Sequence, residues 1–396
     1  MDKDKVFLFF DRLTKFGLAG LFFFIPISNA LIEIFAGSAL AGFIGKKIIR
    51  PDFQWLKDKQ NIFLALFFIF MSLSLINSGQ YIGTSLHALF FKWGEYIILS
   101  LIMQDSIRQR KTLYIFVGIF LFSAGLVAIS GITQFFWGVE FLRGRQVMIF
   151  KGGLRSIASS FHHPNGLGAY LIIPFTLCVA FLKSPSILKR RLYCLILFLV
   201  IILGFVIFHT NSRGTWVGIL AALIAMLFIS RRFIMVIPLI VFCGIILFIP
   251  GFREIVSSIF KFGGDSSRFF YWNGAISMFA ENPFLGQGLG TFMARFSAYL
   301  PNIKISYAHN CFFQIMAESG IFSLFAFLGF IFLVLNNGIR KFLSVGNPVL
   351  LGGVCGLIGF LVHSFFEVNL YSLSLAILFW LWIGIVSVLG SERVIE

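Results

Sequence analysis

The chain has 396 residues, 59% of them hydrophobic and 12% charged, with a mean hydropathy of +0.94. A soluble domain is nearer half apolar and a quarter charged, so a soluble fold is excluded and the chain reads as a polytopic membrane protein, an all-α helical bundle. The formal charge of +16 would suit nucleic acid in a soluble protein; here it marks cytoplasmic loops and contacts with anionic membrane lipids, and no nucleic-acid partner is expected.

The first residues, MDKDKVFLFFDRLTKF, lack a small-residue cleavage site after a short apolar run, so no removable signal peptide is read. Apolar stretches able to cross a bilayer, ~20 residues each, are predicted near 13–28, 30–45, 61–77, 93–104, 113–138, 165–182, 192–208, 214–230, 233–250, 310–336, 348–364 and 371–390, about twelve in all. The first two share one apolar stretch broken at Pro26 to Asn29, and the fourth is short. With the N-terminus inside, the inner connections and the tails hold about 21 of the 32 Lys and Arg, as the positive-inside rule requires. Both termini are therefore expected in the cytoplasm. The whole chain, 1–396, reads as one integral membrane domain. Two outer segments are long, 139–164 and 251–309, and the second is expected to carry short helices and part of an active site between spans 9 and 10. The five cysteines (178, 194, 243, 311 and 355) show neither disulfide nor metal spacing.

The polar residues that could do chemistry gather at the outer ends. All six histidines, His87, His162, His163, His209, His309 and His363, fall there. The outer loop LRGRQVMIFKGGLRSIASSFHHPNG carries Arg143, Arg145, Lys151, Arg155 and Asn165. These cations can face donor phosphates or an acidic acceptor, or simply solvent and lipid headgroups. Arg213 stands in the first turn of a span that Asn211 or Ser212 can cap. A cation is unfavourable at that end of the macrodipole unless an anion binds there, where guanidinium and backbone N–H groups converge. Arg268, behind Asp265 or Ser266, repeats the arrangement on an outer helix that ends at NPFLGQGLG. Each arginine alone also fits an interfacial anchor; the pair fits phosphate, which Arg binds with two parallel bonds.

The stretch YAHNCFFQIMAESG opens the span at 310–336. His309 there can take a proton at neutral pH or serve, with Asn310, as an interfacial cap. Glu318 is nine residues on and faces away from His309 on an ideal helix; an embedded carboxylate usually faces a bundle interior, so a structural role is open beside a functional one. GFIGKK is not a phosphate loop, since Leu40 and Lys47 stand where Gly and Ser/Thr are needed. No metal or nucleotide-sugar site is read on the outer face, and no ATP is expected there. The energy must arrive in an activated substrate.

Four segments, SFHHPNGLGAYLIIPF, NSRGTWVGILAAL, SSRFFYWNGAISMFAENPFLGQGLGTF and AHNCFFQIMAESGIFSLF, resemble the O-antigen ligase and O-antigen polymerase family of bacterial inner-membrane proteins across about residues 155–335. The resemblance implies an all-helical bundle with a periplasmic helical segment. It implies transfer of a glycan from undecaprenyl pyrophosphate to a sugar hydroxyl of lipid A-core, in lipopolysaccharide biosynthesis, with inversion and without metal or other cofactor. By position it implies that Arg213 and Arg268 hold the pyrophosphate and that His309 stands near the acceptor hydroxyl. Asn310, His162, His163, Asn165, Arg155 and Glu318 are candidate supporting residues. Polymerisation of lipid-linked repeats, transfer to protein hydroxyls and lipid-linked glycan flipping stay open as alternatives.

Overall fold

The computed structural model describes residues 3–53, 58–150, 153–183, 189–231, 244, 267–300 and 306–391. The architecture is an all-α, multi-pass membrane bundle. Among the described residues eight helices are long and apolar enough to cross a membrane, and Pro348–His363 is a shorter apolar helix. The span expected at 233–250 lies, Gly244 apart, outside the described residues.

Helices α1 (Lys3–Phe24) and α2 (Asn29–Ile49) form an antiparallel hairpin whose turn contains Pro26, and Ser28 caps α2 by accepting from the Leu31 N–H (3.4 Å). The two backbones approach through glycines: a Cβ on Gly17 would lie 2.5 Å from the Ala39 nitrogen, and one on Gly42 would lie 2.6 Å from that of Thr14. Small residues permit such contact where apolar lipid offers no force to drive helices together. Helix α3 (Gln60–Leu73) leads through two 3-10 turns into α4 (Ile82–Ala88), a π-helical segment (Leu89–Gly94) and α5 (Glu95–Ser106). The short span expected at 93–104 is thus the end of a longer helical run, Gly79–Ser106. His87 and Lys92 interrupt its apolar pattern and hide its first half from a hydropathy reading.

Helix α6 (Arg110–Trp137) ends on Gly138 with φ 84°, the left-handed C-terminal stop that glycine adopts freely. The first long outer segment holds a small antiparallel hairpin, β1 (Met148–Phe150) and β2 (Leu154–Ser156), with Ile149 opposite Arg155. Then come α7 (Pro164–Leu182), α8 (Arg190–His209) and α9 (Arg213–Ser230). The second long outer segment holds α10 (Ser267–Glu281) and α11 (Phe292–Tyr299), and the chain closes with α12 (Cys311–Val345), α13 (Pro348–His363) and α14 (Leu373–Gly390). Helix α13 is buried against α7, α9, α12 and α14. It reaches α9 backbone to backbone: a Cβ on Gly359 would lie 2.6 Å from the Gly218 carbonyl oxygen.

At the end that bears the basic connections, Lys46 and Lys47 of α2 are buried against Asp105 at the end of α5. Lys47 Nζ donates to Asp105 Oδ1 at 2.6 Å, and Lys46 pairs with Asp105 and with Asp11. Charges removed from water persist only when paired and hydrogen-bonded, so this cluster ties α1, α2 and α5 together.

Helix α12 is broken at Gly320, which has φ 80° and ψ 179°. The break frees backbone groups that the loop after α10 satisfies. The Gln287 N–H donates to the Ala317 carbonyl (2.9 Å), that of Gly288 to the Glu318 carbonyl (3.0 Å), and that of Ile321 to the Pro283 carbonyl (2.9 Å). Irregular backbone at membrane depth is tolerated when protein covers it in this way.

Candidate functional site

Helix α12 begins where Asn310 Oδ1 accepts from the N–H groups of Phe312 (2.9 Å) and Phe313 (3.0 Å). The turn into this cap leaves His309 at φ 49°, a left-handed conformation that His tolerates better than most side chains. The helix start is tied to the link between α13 and α14. The Cys311 N–H donates to the Ser364 carbonyl (2.9 Å), and Cys311 Sγ donates to that of Glu367 (3.3 Å). The link therefore wraps the N-terminus of α12 and brings the Glu367 carboxylate to His309.

Glu367 is the hub. Its Oε2 lies 3.2 Å from His309 Nδ1, and its Oε1 accepts from an Arg268 guanidinium nitrogen at 3.0 Å and from Asn165 Nδ2 at 2.5 Å. The Glu367 side chain is 16% exposed, against 31% for His309 and 38% for Arg268. Burial pushes its carboxyl up, but the hydrogen bond to His309 and the charge of Arg268 outweigh this and hold it below the usual glutamate range. A carboxylate on Nδ1 assigns the proton of a neutral imidazole to that nitrogen and leaves Nε2 as the proton acceptor. Nε2 is 3.2 Å from the Ser306 hydroxyl. The Tyr271 ring of α10 lies against the imidazole, with centroids 5.5 Å apart.

Three helix starts meet at this hub, those of α7, α10 and α12, and a fourth, that of α9, packs against the link that carries Glu367. Arg268 is the second residue of α10; Asp265 and Ser266, its expected caps, lie outside the described residues. Asn165 stands in the first turn of α7, where His163 Nδ1 accepts from the Asn165 N–H (3.3 Å) and Pro164 takes the first helical position, as suits a residue with no N–H to leave unpaired. Arg213 is the first residue of α9, and Ser212 rather than Asn211 is the cap, accepting from the Thr215 N–H (3.4 Å). A Cβ on the next residue, Gly214, would lie 3.4 Å from the His363 ring and 3.5 Å from Phe366 Cβ, so α9 starts against the link that carries Glu367. His363 is buried there, with Nδ1 2.9 Å from Asn369 Nδ2.

Other residues singled out in the sequence sit apart from the hub. Glu318 is buried. It accepts from the N–H groups of Gly290 (3.0 Å) and Phe292 (3.2 Å) and from the Tyr371 hydroxyl (3.2 Å), fixing the start of α11. Arg155 donates to the Phe135 carbonyl (2.9 Å) and anchors the hairpin to the end of α6. Asn211 holds the other side of the hairpin through the Arg155 carbonyl (3.0 Å) and Ser156 Oγ (2.7 Å). The Arg145 guanidinium lies 2.9 and 3.1 Å from the two ring nitrogens of His162. Partial desolvation, then the charges of Arg145 and Arg143, push His162 below the usual histidine range. His209 packs among Phe135, Phe205 and Phe208, and His87 stacks on Phe91. Lys151 lies outside the described residues. Among the described residues no group of three or more His, Cys, Asp or Glu could hold a metal ion.

A carboxylate that orients a histidine, with guanidinium groups on the same face, can take a proton from a hydroxyl and hold a phosphate beside it. Residues 197–328 match the family described as O-Antigen ligase. The match spans a third of the chain. It runs from α8 into α12, so it includes Arg213, Arg268, His309, Asn310 and Glu318, and together with the apolar helices it supports a multi-pass membrane enzyme of the O-antigen ligase or polymerase type. No curated protein matches the chain. Glu367, Asn165 and His163 fall outside the matched segment, yet they complete the hub. Sequence reasoning missed Glu367. The available signal was a lone acidic residue, SFFEVNL, in the short outer link between two long apolar helices, four residues after a histidine.

Proposed function

We propose that the protein is an O-antigen ligase of the bacterial inner membrane. It transfers a polysaccharide from undecaprenyl pyrophosphate to a sugar hydroxyl of lipid A-core at the periplasmic face, with both termini in the cytoplasm. The observation that carries this reading is the shared carboxylate: Glu367 holds His309 by Nδ1 and Arg268 by a guanidinium nitrogen.

The acceptor hydroxyl gives its proton to His309 Nε2 as its oxygen attacks the anomeric carbon from the face opposite the pyrophosphate. The bond from that carbon to the pyrophosphate oxygen breaks, and its electron pair leaves with the lipid pyrophosphate. Arg268 and Arg213 meet the charge that develops on the leaving group. Glu367 stabilises the imidazolium formed on His309, and the proton then exchanges with water. No residue named here calls for a cofactor. Attack opposite the leaving group inverts the anomeric centre.

The test is a lipopolysaccharide gel from a deletion of this gene in its own host, complemented with wild type or with His309→Ala. Loss of the whole ladder with accumulation of undecaprenyl-linked polymer, restored by wild type only, is expected. Core bearing a single repeat would assign the polymerase reaction instead. A normal ladder from His309→Ala at wild-type protein level would overturn the mechanism.

A further inference from the structure

Beside the hub is a cleft of about 260 Å³ walled by the α1–α2 turn, the loop ahead of α7 and the link ahead of α14. Its size is a little below the ~300–1,000 Å³ of common ligand pockets and suits one sugar residue rather than a chain. Glu367, Asn165 and His163 line it, whereas His309 and Arg268 do not. The cleft is therefore one side chain away from both His309 and Arg268, across the Glu367 carboxylate, and its lining residue Asn165 shares Oε1 with Arg268.

Its walls are mostly apolar, with a few polar groups set among them. Ser160 lines it with a hydroxyl that is buried and without a hydrogen-bond partner, although a buried hydroxyl left unpaired is costly. Its edge is positive. Arg143 lines it, and Arg145 lies on the lining residue His162. Of the carboxylates nearby, Glu140 is turned inward and accepts from the N–H groups of Leu142 (2.6 Å), Arg143 (2.8 Å) and Arg145 (3.0 Å) and from the Ser130 hydroxyl (2.7 Å), and Glu367, which lines the cleft, is engaged by Arg268, Asn165 and His309. Its lip is the turn Pro26–Asn29 between α1 and α2.

Building on the transferase reading above, we propose that this cleft is the acceptor subsite. It takes an anionic sugar residue of a membrane-anchored glycan, with the carboxylate or phosphate at Arg143 and ring hydroxyls at Ser160 and Asn165. The anionic residue is then held across Glu367 from His309 and Arg268, and the glycan continues from it toward His309.

The test is binding without donor. The full chain in nanodiscs is titrated with lipid A-core as isolated, after phosphatase treatment, and after carbodiimide reduction of its carboxylates, for wild type, Arg143→Ala and Asn29→Trp. The Trp on the exposed lip obstructs the cleft. Arg143→Ala is expected to weaken binding of untreated lipid about tenfold, the scale of one hydrogen bond to a charged group, and Asn29→Trp at least as much. One stripped lipid should bind wild type equally weakly and ignore Arg143→Ala; which one does so identifies phosphate or carboxylate. Affinities within about twofold for both variants, or full affinity for both stripped lipids, would overturn the subsite. Binding that follows this pattern in a protein that transfers no glycan would instead sink the transferase reading and leave the cleft as a glycolipid site.

Discussion

Replacing Glu367 by Gln keeps the shape of the hub and removes its charge. The carboxylate oxygen lies 3.2 Å from His309 Nδ1. Opposite unit charges at that distance attract by about 5 kcal/mol at an effective dielectric near 20. That attraction is present only while His309 carries the acceptor's proton, so it lowers the barrier rather than the ground state. Arg268 already draws on the same carboxylate, and the side chain is partly exposed, so we take about half: 2–3 kcal/mol, or roughly 30- to 150-fold in kcat. The assay is transfer by purified protein in nanodiscs, using undecaprenyl-pyrophosphate-linked glycan and lipid A-core. The expected result is a fall of that size in kcat with the donor KM within about threefold, and partial recovery in Glu367→Asp. A Glu367→Gln enzyme with kcat within about twofold of wild type would refute the argument that this carboxylate stabilises a developing imidazolium.

Arg268→Ala and Arg213→Ala are each expected to lower kcat/KM for the donor about 100-fold or more, as removal of one charge-stabilising donor does, and Arg268→Lys should recover little because a fork suits phosphate better than a point charge. Gly320→Ala places a Cβ 2.1 Å from the Phe284 carbonyl oxygen in a conformation open essentially to glycine, so thermal unfolding in detergent should show a loss of at least ~1–3 kcal/mol; Gly118→Ala, with nothing within 4 Å, is the control and should not destabilise. Asp105→Asn leaves Lys47 buried without its carboxylate and Lys46 with Asp11 alone and should cost about 3–5 kcal/mol, with activity per folded molecule close to wild type. The Glu367 carboxyl is held below its ordinary value of 4.5, so the native state binds fewer protons there than the unfolded chain. Its stabilising contribution is then complete above that ordinary value and is lost as pH falls through the lowered one; in an acid titration of unfolding, Glu367→Gln should remove this component.

The helical bundle was legible because lipid imposes long apolar runs, and the break at Pro26 to Asn29 and the caps at Ser212 and Asn310 follow from local chemistry. Arg268 and His309 were legible as polar residues at outer helix starts. What joins them was not. Glu367 follows Arg268 by 99 residues and His309 by 58, and nothing local in SFFEVNL marks it as their partner. The turn NPFLGQGLG was readable as a turn, but its docking against Ala317–Ile321 depends on a break in α12 that the apolar pattern does not disclose. Glu318 likewise gave a carboxylate with no visible partner, because its partners are backbone N–H groups of a distant loop.

The docked turn has a mechanical consequence. Helix α10 carries Arg268 at its outer start, α12 carries His309 just ahead of its own, and the loop at the far end of α10 is locked into α12 at Gly320. The two helices thus work as the arms of a caliper whose pivot lies below the reacting groups. From Gly320 to His309 is eleven residues, about 16 Å at 1.5 Å per residue, so a tilt of about 5° at the pivot carries the imidazole roughly 1.4 Å. A displacement of that order can cost about a hundredfold in rate. The spacing between Arg268 and His309 is thereby set by three glycines, Gly286, Gly288 and Gly320, that lie apart from both side chains.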